Sequence, residues 1–92
     1  MAWKVELDEV VQRGLRKLDP QIARRILAYL YERIAPLANP RELGEALQGS
    51  QFGHLWRYRT GDWRIVAEIR DHVLCILVVR VDHRNKVYRN RP

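Results

Sequence analysis

The chain has 92 residues, 47% of them apolar and 30% charged, with a net charge of +6. That is enough for one small domain, residues 1–92, around a single core, and too apolar for a disordered chain. No apolar run is long enough to span a bilayer, and the start of the chain lacks the basic and apolar regions of a secretory leader. Cys75, the only cysteine, sits in the most apolar stretch. It reads as a buried thiol, with no disulfide within the chain and no cysteine-rich metal site, which fits a reducing cytoplasm. The charge is uneven. Residues 1–56 hold 8 Lys/Arg and 7 Asp/Glu, whereas residues 57–92 hold 9 and 4. The positive field belongs to the second segment and favours an anionic partner: nucleic acid, an acidic protein segment or a membrane surface. Only Lys4, Lys17 and Lys86 are lysine. Arginine is the better fork for phosphate.

Trp3, Val5 and Leu7 alternate with Lys4 and Glu6, which predicts a short strand. Asp8 is placed to cap a helix in which Val11, Leu15 and Leu18 form the apolar stripe. Asp19-Pro20 restarts the chain as cap and first helical residue. The second helix carries Ile22, Ile26, Leu27, Leu30 and Ile34 on one face, and Pro36 and Asn39-Pro40 end it. Arg41–Leu47 predicts a helical turn with Leu43 and Leu47 inward, and Gln48–Gly53 a connector. Leu55–Thr60 and Trp63–Ile69 read as a hairpin around Gly61-Asp62. Val73–Val81 is apolar without alternation, which predicts a central strand covered on both faces. The fold expected is α+β, with a two-helix hairpin on one face of a roughly four-stranded, mainly antiparallel sheet, in the order β-α-α-β-β-β.

A turn at Gly61-Asp62 sets Thr60 opposite Trp63, Arg59 opposite Arg64, Tyr58 opposite Ile65 and Arg57 opposite Val66. Cross-strand partners share a face, as do residues two apart. Arg57, Arg59 and Arg64 then share one face, and Trp56, Tyr58, Ile65, Ala67 and Ile69 the other. Two arginines directly opposite repel unless an anion lies between them. For any one arginine a solvated outer face is the simpler reading. Three converging beside Arg84 and Tyr88 favour a phosphate site. His83 is the nearby group that titrates near neutrality. Tyr88 can stack on a base or hydrogen-bond a ribose hydroxyl. His54 and His72 lie near turns and read as structural. The three histidines are too scattered for a zinc set, and no nucleotide P-loop, Ser-His-Asp or paired-carboxylate pattern occurs.

The whole chain resembles the RelE toxins of the RelE/ParE superfamily. The resemblance lies in the element order, in Leu43-x-x-x-Leu47-x-Gly49, in the Leu-Trp-Arg-Tyr-Arg…Gly-Asp-Trp-Arg-Ile hairpin, and in the His83-Arg84…Val87-Tyr88 ending. It implies a cytoplasmic, ribosome-dependent mRNA endoribonuclease of a type II toxin–antitoxin system. Such an enzyme cleaves mRNA in the ribosomal A site by attack of a ribose 2′-hydroxyl on the adjacent phosphate, which inhibits translation. It needs no cofactor and no metal, and no membrane partner is implied. Its partners would be the ribosome, mRNA and an acidic RelB-like antitoxin, in a hetero-oligomer that binds operator DNA through the antitoxin. By position the resemblance assigns catalysis to Arg57, Arg59, Arg64, Arg84 and Tyr88. Arg57, Arg59 and Arg89 fall to RNA binding, and His83 is a further candidate for proton transfer. Some members carry lysines where this chain has Arg57 and Arg59. Arginine stays charged, so Arg57 is a poor general base. Two alternatives share the fold: a ParE-like toxin that inhibits DNA gyrase without cutting RNA, and an inactive nucleic-acid- or antitoxin-binding module.

Overall fold

Two aspartates fix where the helical half begins. The computed structural model describes residues 2–47 and 54–84. After strand β1 (Lys4–Leu7), Asp8 accepts from the Val10 amide (3.3 Å) and starts α1, Glu9–Arg16. Asp19 accepts from the Gln21 amide (2.8 Å) and starts α2, Pro20–Ala28, with Pro20 in its first turn. A wider π-helical turn, Tyr29–Ile34, extends α2 and closes with the Ala35 amide bonded to the Leu30 carbonyl (2.9 Å). The Ala35 carbonyl then accepts from the Trp3 amide (2.8 Å), which ties the end of this helix to β1.

The sheet has the order β1-β5-β4-β3-β2. It comprises β2 (Glu45–Ala46), β3 (Leu55–Thr60), β4 (Trp63–Arg70) and β5 (Cys75–His83), besides β1. The helices cover one face. Ile26, Leu30, Ile34, Tyr58, Ile65, Ile76 and Val78 are buried there in one cluster with Val11 and Leu15. Each large aliphatic side chain so buried contributes roughly 1.5–3 kcal/mol. The other face is open, and the arginines lie on it. Among the described residues no helix is long and apolar enough to cross a membrane.

The α+β expectation holds, with two revisions. A fifth strand, β2, lies along β3, where a helical turn was expected to run on to Leu47. The turn is a 3₁₀ turn, Pro40–Leu43, and it stops because Gly44 is extended (φ −107°, ψ 173°). Leu43 is consequently 41% exposed rather than inward. Secondly, β4 is the central strand, not the apolar run. That run starts late, because Asp71–Val73 forms a 3₁₀ turn and Leu74 takes a left-handed conformation (φ 49°). The sheet is mainly antiparallel, as expected, with one parallel pairing between β5 and β1.

Strand β5 also carries a bulge. Val81 pairs with Ile65 and Arg80 with Val66, but Ala67 pairs with Val78, which leaves Val79 unmatched. One extra residue exchanges the faces of everything beyond it. Without the bulge Arg80 would share the core face with Ile76 and Val78. With it, Arg80 and Asp82 turn to the open face, and Val81 and His83 to the helix side.

Tyr58 locks the hairpin onto this frame. It is 1% exposed, and its hydroxyl donates to the Pro40 carbonyl (2.7 Å). Gly44 lies against its ring so closely that an added Cβ would sit 2.9 Å from it. Arg41 braces the same region, with both guanidinium nitrogens on the Asp71 carboxylate (3.0 and 2.6 Å) and its plane 5.8 Å from the Trp56 ring centre. Burial pushes the Tyr58 phenol from 10.0 to about 12. The neutral phenol is therefore the form that the fold stabilises. That contribution is complete below pH 10 and lost as pH rises toward 12. Tyr58→Phe should cost about 1–3 kcal/mol near neutrality, because it leaves the Pro40 carbonyl unpaired. In denaturant melts the stability gap between wild type and the variant should narrow above pH 10. A gap constant to pH 12 would contradict the assignment.

Candidate phosphate-binding site

The site is built by the β3–β4 hairpin. Gly61 takes φ +60° at the first turn position while Asp62 does not, as a type II′ hairpin turn requires. The resulting register matches the one derived from the sequence: Thr60 with Trp63, Arg59 with Arg64, Tyr58 with Ile65, Arg57 with Val66. Tyr58, Ile65 and Ala67 are buried on the helix side, so alternation directs Arg57, Arg59 and Arg64 to the open side. Arg80, opposite Val66 on the next strand, joins them through the bulge.

These arginines differ in what already neutralises them. Arg57 donates to Glu45 (3.1 Å), which β2 places directly opposite, while its Nε is buried without a partner. Arg80 donates through Nε to Asp82. At the hairpin end, Arg84 bonds the Asp62 carbonyl through its amide (2.8 Å), and its guanidinium lies 3.6 Å from the Asp62 carboxylate. Arg59 and Arg64 form no ion pair with any described residue. They are also the pair set directly opposite each other. Two cations at adjacent cross-strand positions, with the nearby described carboxylates engaged elsewhere, have the chemistry to bind an anion with several acceptor oxygens.

Arg57, Arg59 and Arg64 are thus brought together, and Arg84 lies at the same end of the hairpin. His83 is not among them. It pairs with Trp63 on the helix side, its ring edge-on to the indole (centroids 5.1 Å apart, 83° between planes), because the bulge reverses its face. Tyr88 and Arg89 lie outside the described residues, as do the Gln48–Gly53 connector and the end of the Val87-Tyr88 motif. The sequence does not single out Glu45, Arg80 or Asp82. Glu45 falls in a segment whose pattern predicts a helical turn, and the bulge that turns Arg80 and Asp82 outward leaves no compositional mark.

A separate cleft of about 630 Å³ opens on the helix side between α1 and the end of β5, where β1 no longer pairs. Val11, Leu15, Leu18, Trp63 and Val81 form its apolar lining, with Arg13 and Lys17 also on its wall. Arg80, Asp82 and His83 at the end of β5 join its lining, which includes neither Arg59 nor Arg64.

A family model for the ParE toxin of type II toxin–antitoxin systems, parDE, matches residues 5–88. The chain belongs to that family. It is a toxin of the wider RelE/ParE superfamily, and its relatives include proteins of the RelE branch. Toxin RelG of Mycobacterium tuberculosis is 27% identical over 89 residues, spanning 97% of this chain and 99% of that protein. The RelBE2 toxin–antitoxin complex of the same organism superposes with a TM-score of 0.81 at 24% identity, covering 91% of this toxin and 93% of that chain. The archaeal RelE–RelB complex from Pyrococcus horikoshii gives 0.68 at 25% identity, covering 94% and 99%. The two-helix, single-sheet architecture of this toxin is therefore the RelE fold.

The facing arginines predict a measurable conflict between stability and binding. Arg59→Gln removes a like-charge cross-strand pair and should raise the melting temperature by about 1–5 °C at low salt, with the gain fading as salt screens the repulsion. Added phosphate should stabilise the wild type more than the variant, reversing the order. Equal stabilisation of both proteins by phosphate in thermal melts would contradict an anion site at this pair.

Proposed function

We propose that this toxin is a ribosome-dependent mRNA endoribonuclease whose arginine face grips the scissile phosphate and its neighbours. The observation that carries the reading is the unneutralised Arg59–Arg64 pair flanked by Arg57, Arg80 and Arg84. In the proposed reaction a ribose 2′-hydroxyl attacks the adjacent phosphorus and the 5′-oxygen departs, leaving a cyclic phosphate and a free 5′-hydroxyl. Negative charge builds on the non-bridging oxygens in the transition state. Arg64 and Arg84 are assigned to that charge, and Arg57 and Arg59 to the flanking backbone. Tyr88 is assigned to the distorted nucleotide and Arg89 to the RNA backbone.

Proton transfer is the weaker part of this chemistry. Arginine is a poor proton acceptor, and His83 faces the other side of the sheet. Much of the acceleration then rests on alignment of hydroxyl, phosphorus and leaving oxygen, worth roughly 7–11 kcal/mol when complete. Free RNA does not hold that geometry, whereas mRNA fixed in a decoding site does. This is the physical reason for a ribosome requirement.

The antitoxin is the second partner in this reading. Both solved relatives named above are complexes with one. An acidic segment with apolar residues suits the α1–β5 cleft, with its apolar lining and its Arg13 and Lys17. Val10 borders that cleft and is 68% exposed, so Val10→Asp should fold normally and bind the antitoxin at least tenfold more weakly. Unchanged affinity in a titration would remove the cleft from the interface. Any operator-DNA binding is assigned to the antitoxin half of the complex.

The ParE family match favours a second reading, a gyrase inhibitor that cuts no RNA. The two part on one experiment. Single-turnover cleavage of ribosome-bound message should be clear for the wild type and about 10²–10³-fold slower for Arg64→Ala, with free message a poor substrate. Intact message with falling gyrase supercoiling would replace the nuclease reading. Wild-type cleavage by a folded Arg64→Ala would remove Arg64 from the chemistry.

A further inference from the structure

Arg64 has an unexpected cross-strand neighbour. Its partner on β5 is Asp82, the residue best placed to neutralise it. Directly opposed side chains in an antiparallel pair have Cβ atoms about 4.5–5.5 Å apart, close enough for an ion pair. Yet Arg64 has no ion-pair partner among the described residues, and the Asp82 carboxylate accepts from Arg80 instead. Asp82 is largely covered, its side chain 12% exposed, whereas that of Arg80 is 60% exposed. The other described carboxylates nearby are engaged as well: Glu45 by Arg57, Asp62 by Arg84, Glu68 by Arg70.

We infer that Arg80 is a positioning residue that keeps the phosphate site open by holding Asp82 away from Arg64. The inference rests on the reading of Arg59 and Arg64 as a phosphate site. The Val79 bulge is what makes it possible, because it brings Arg80 and Asp82 to the open face together, two residues apart on one strand. With the guanidinium exposed and the carboxylate covered, the Arg80–Asp82 pair is only partly screened by solvent. Its effect lies in where it leaves the carboxylate. With Arg80 neutral, Arg64 is the cation that the strand register sets opposite Asp82. An internal counter-ion would then occupy Arg64, and an incoming phosphate would have to displace it.

This makes Arg80 and Asp82 energetically coupled, which a general loss of positive charge does not. The test is a double-mutant cycle read by isothermal titration with inorganic pyrophosphate, in which no RNA is cut. Arg80→Gln should weaken pyrophosphate binding about 5–20-fold, the effect of an internal charge-assisted contact from Asp82 to Arg64 that the anion has to displace. Asp82→Asn should change affinity less than about twofold in the wild type, where Arg80 already holds the carboxylate. The same substitution in Arg80→Gln should restore most of the loss, and Arg80→Lys should stay close to wild type. Thermal melts identify any variant that loses its fold, and Arg80→Met replaces Arg80→Gln in the cycle if the Gln variant does.

Additive effects of the two substitutions would overturn the proposal, because Asp82 would then act as a remote charge only. Failure of Asp82→Asn to restore binding in Arg80→Gln would also overturn it, and would make Arg80 a direct phosphate contact. Absence of pyrophosphate binding by the wild type would remove the proposal and the phosphate site together. Intact pyrophosphate coupling without message cleavage would remove only the nuclease reading.

Discussion

Arg59 and Arg64 are held opposite each other because their sequence neighbours are buried. Tyr58 and Ile65 form the adjacent cross-strand pair and are sealed beneath the helices, so the intervening side chains have to point outward. Gly61 fixes the register by closing the turn with a positive φ. A slip of one residue would bury arginines and expose the core, which no surface interaction could offset. The repulsion between the two guanidinium groups is therefore built in. Hydrophobic burial, worth several kcal/mol across the hairpin, outweighs a like-charge conflict of about 1 kcal/mol or less.

The rest of the open face is organised by where carboxylates are permitted. Glu45 reaches Arg57 because Gly44 ends the 3₁₀ turn in time for β2 to pair with β3. Asp62 in the turn reaches Arg84, and Asp82 is taken by Arg80. The outer arginines are tethered while the central pair stays unneutralised. The tethered Arg57 and Arg84 lose less freedom on binding, and an unneutralised guanidinium gains more from an anion. The face thus combines preorganised flanks with a charged centre, the pattern expected of a surface that receives a polyanionic backbone.

Much of this could be read in the amino-acid order. The helix caps at Asp8 and Asp19, the apolar stripe through Ile26, Leu30 and Ile34, and the whole β3–β4 register follow from local chemistry, and each holds in the structure. What escaped was non-local or conformational. The parallel pairing of β1 with β5 joins opposite ends of the chain. Strand β2 is two residues long and is defined by its neighbour rather than by its own pattern. The Val79 bulge falls within a run of apolar residues, where alternation cannot reveal a change of face, so His83 was grouped with the arginines and Arg80 was passed over. The family relationship follows from the order of elements and from the hairpin, whereas the chemistry at the arginines depends on side-chain pairing that only the fold specifies.

The proposed anion site of this toxin centres on the Arg59–Arg64 pair. Titration of the isotopically labelled protein with inorganic phosphate, observed through the arginine Nε–Hε resonances, tests it most directly. The Arg59 and Arg64 signals should shift together with one dissociation constant, with smaller changes at Arg57, Arg80 and Arg84. Shifts spread evenly over all the arginines, or confined to residues outside this pair, would contradict it.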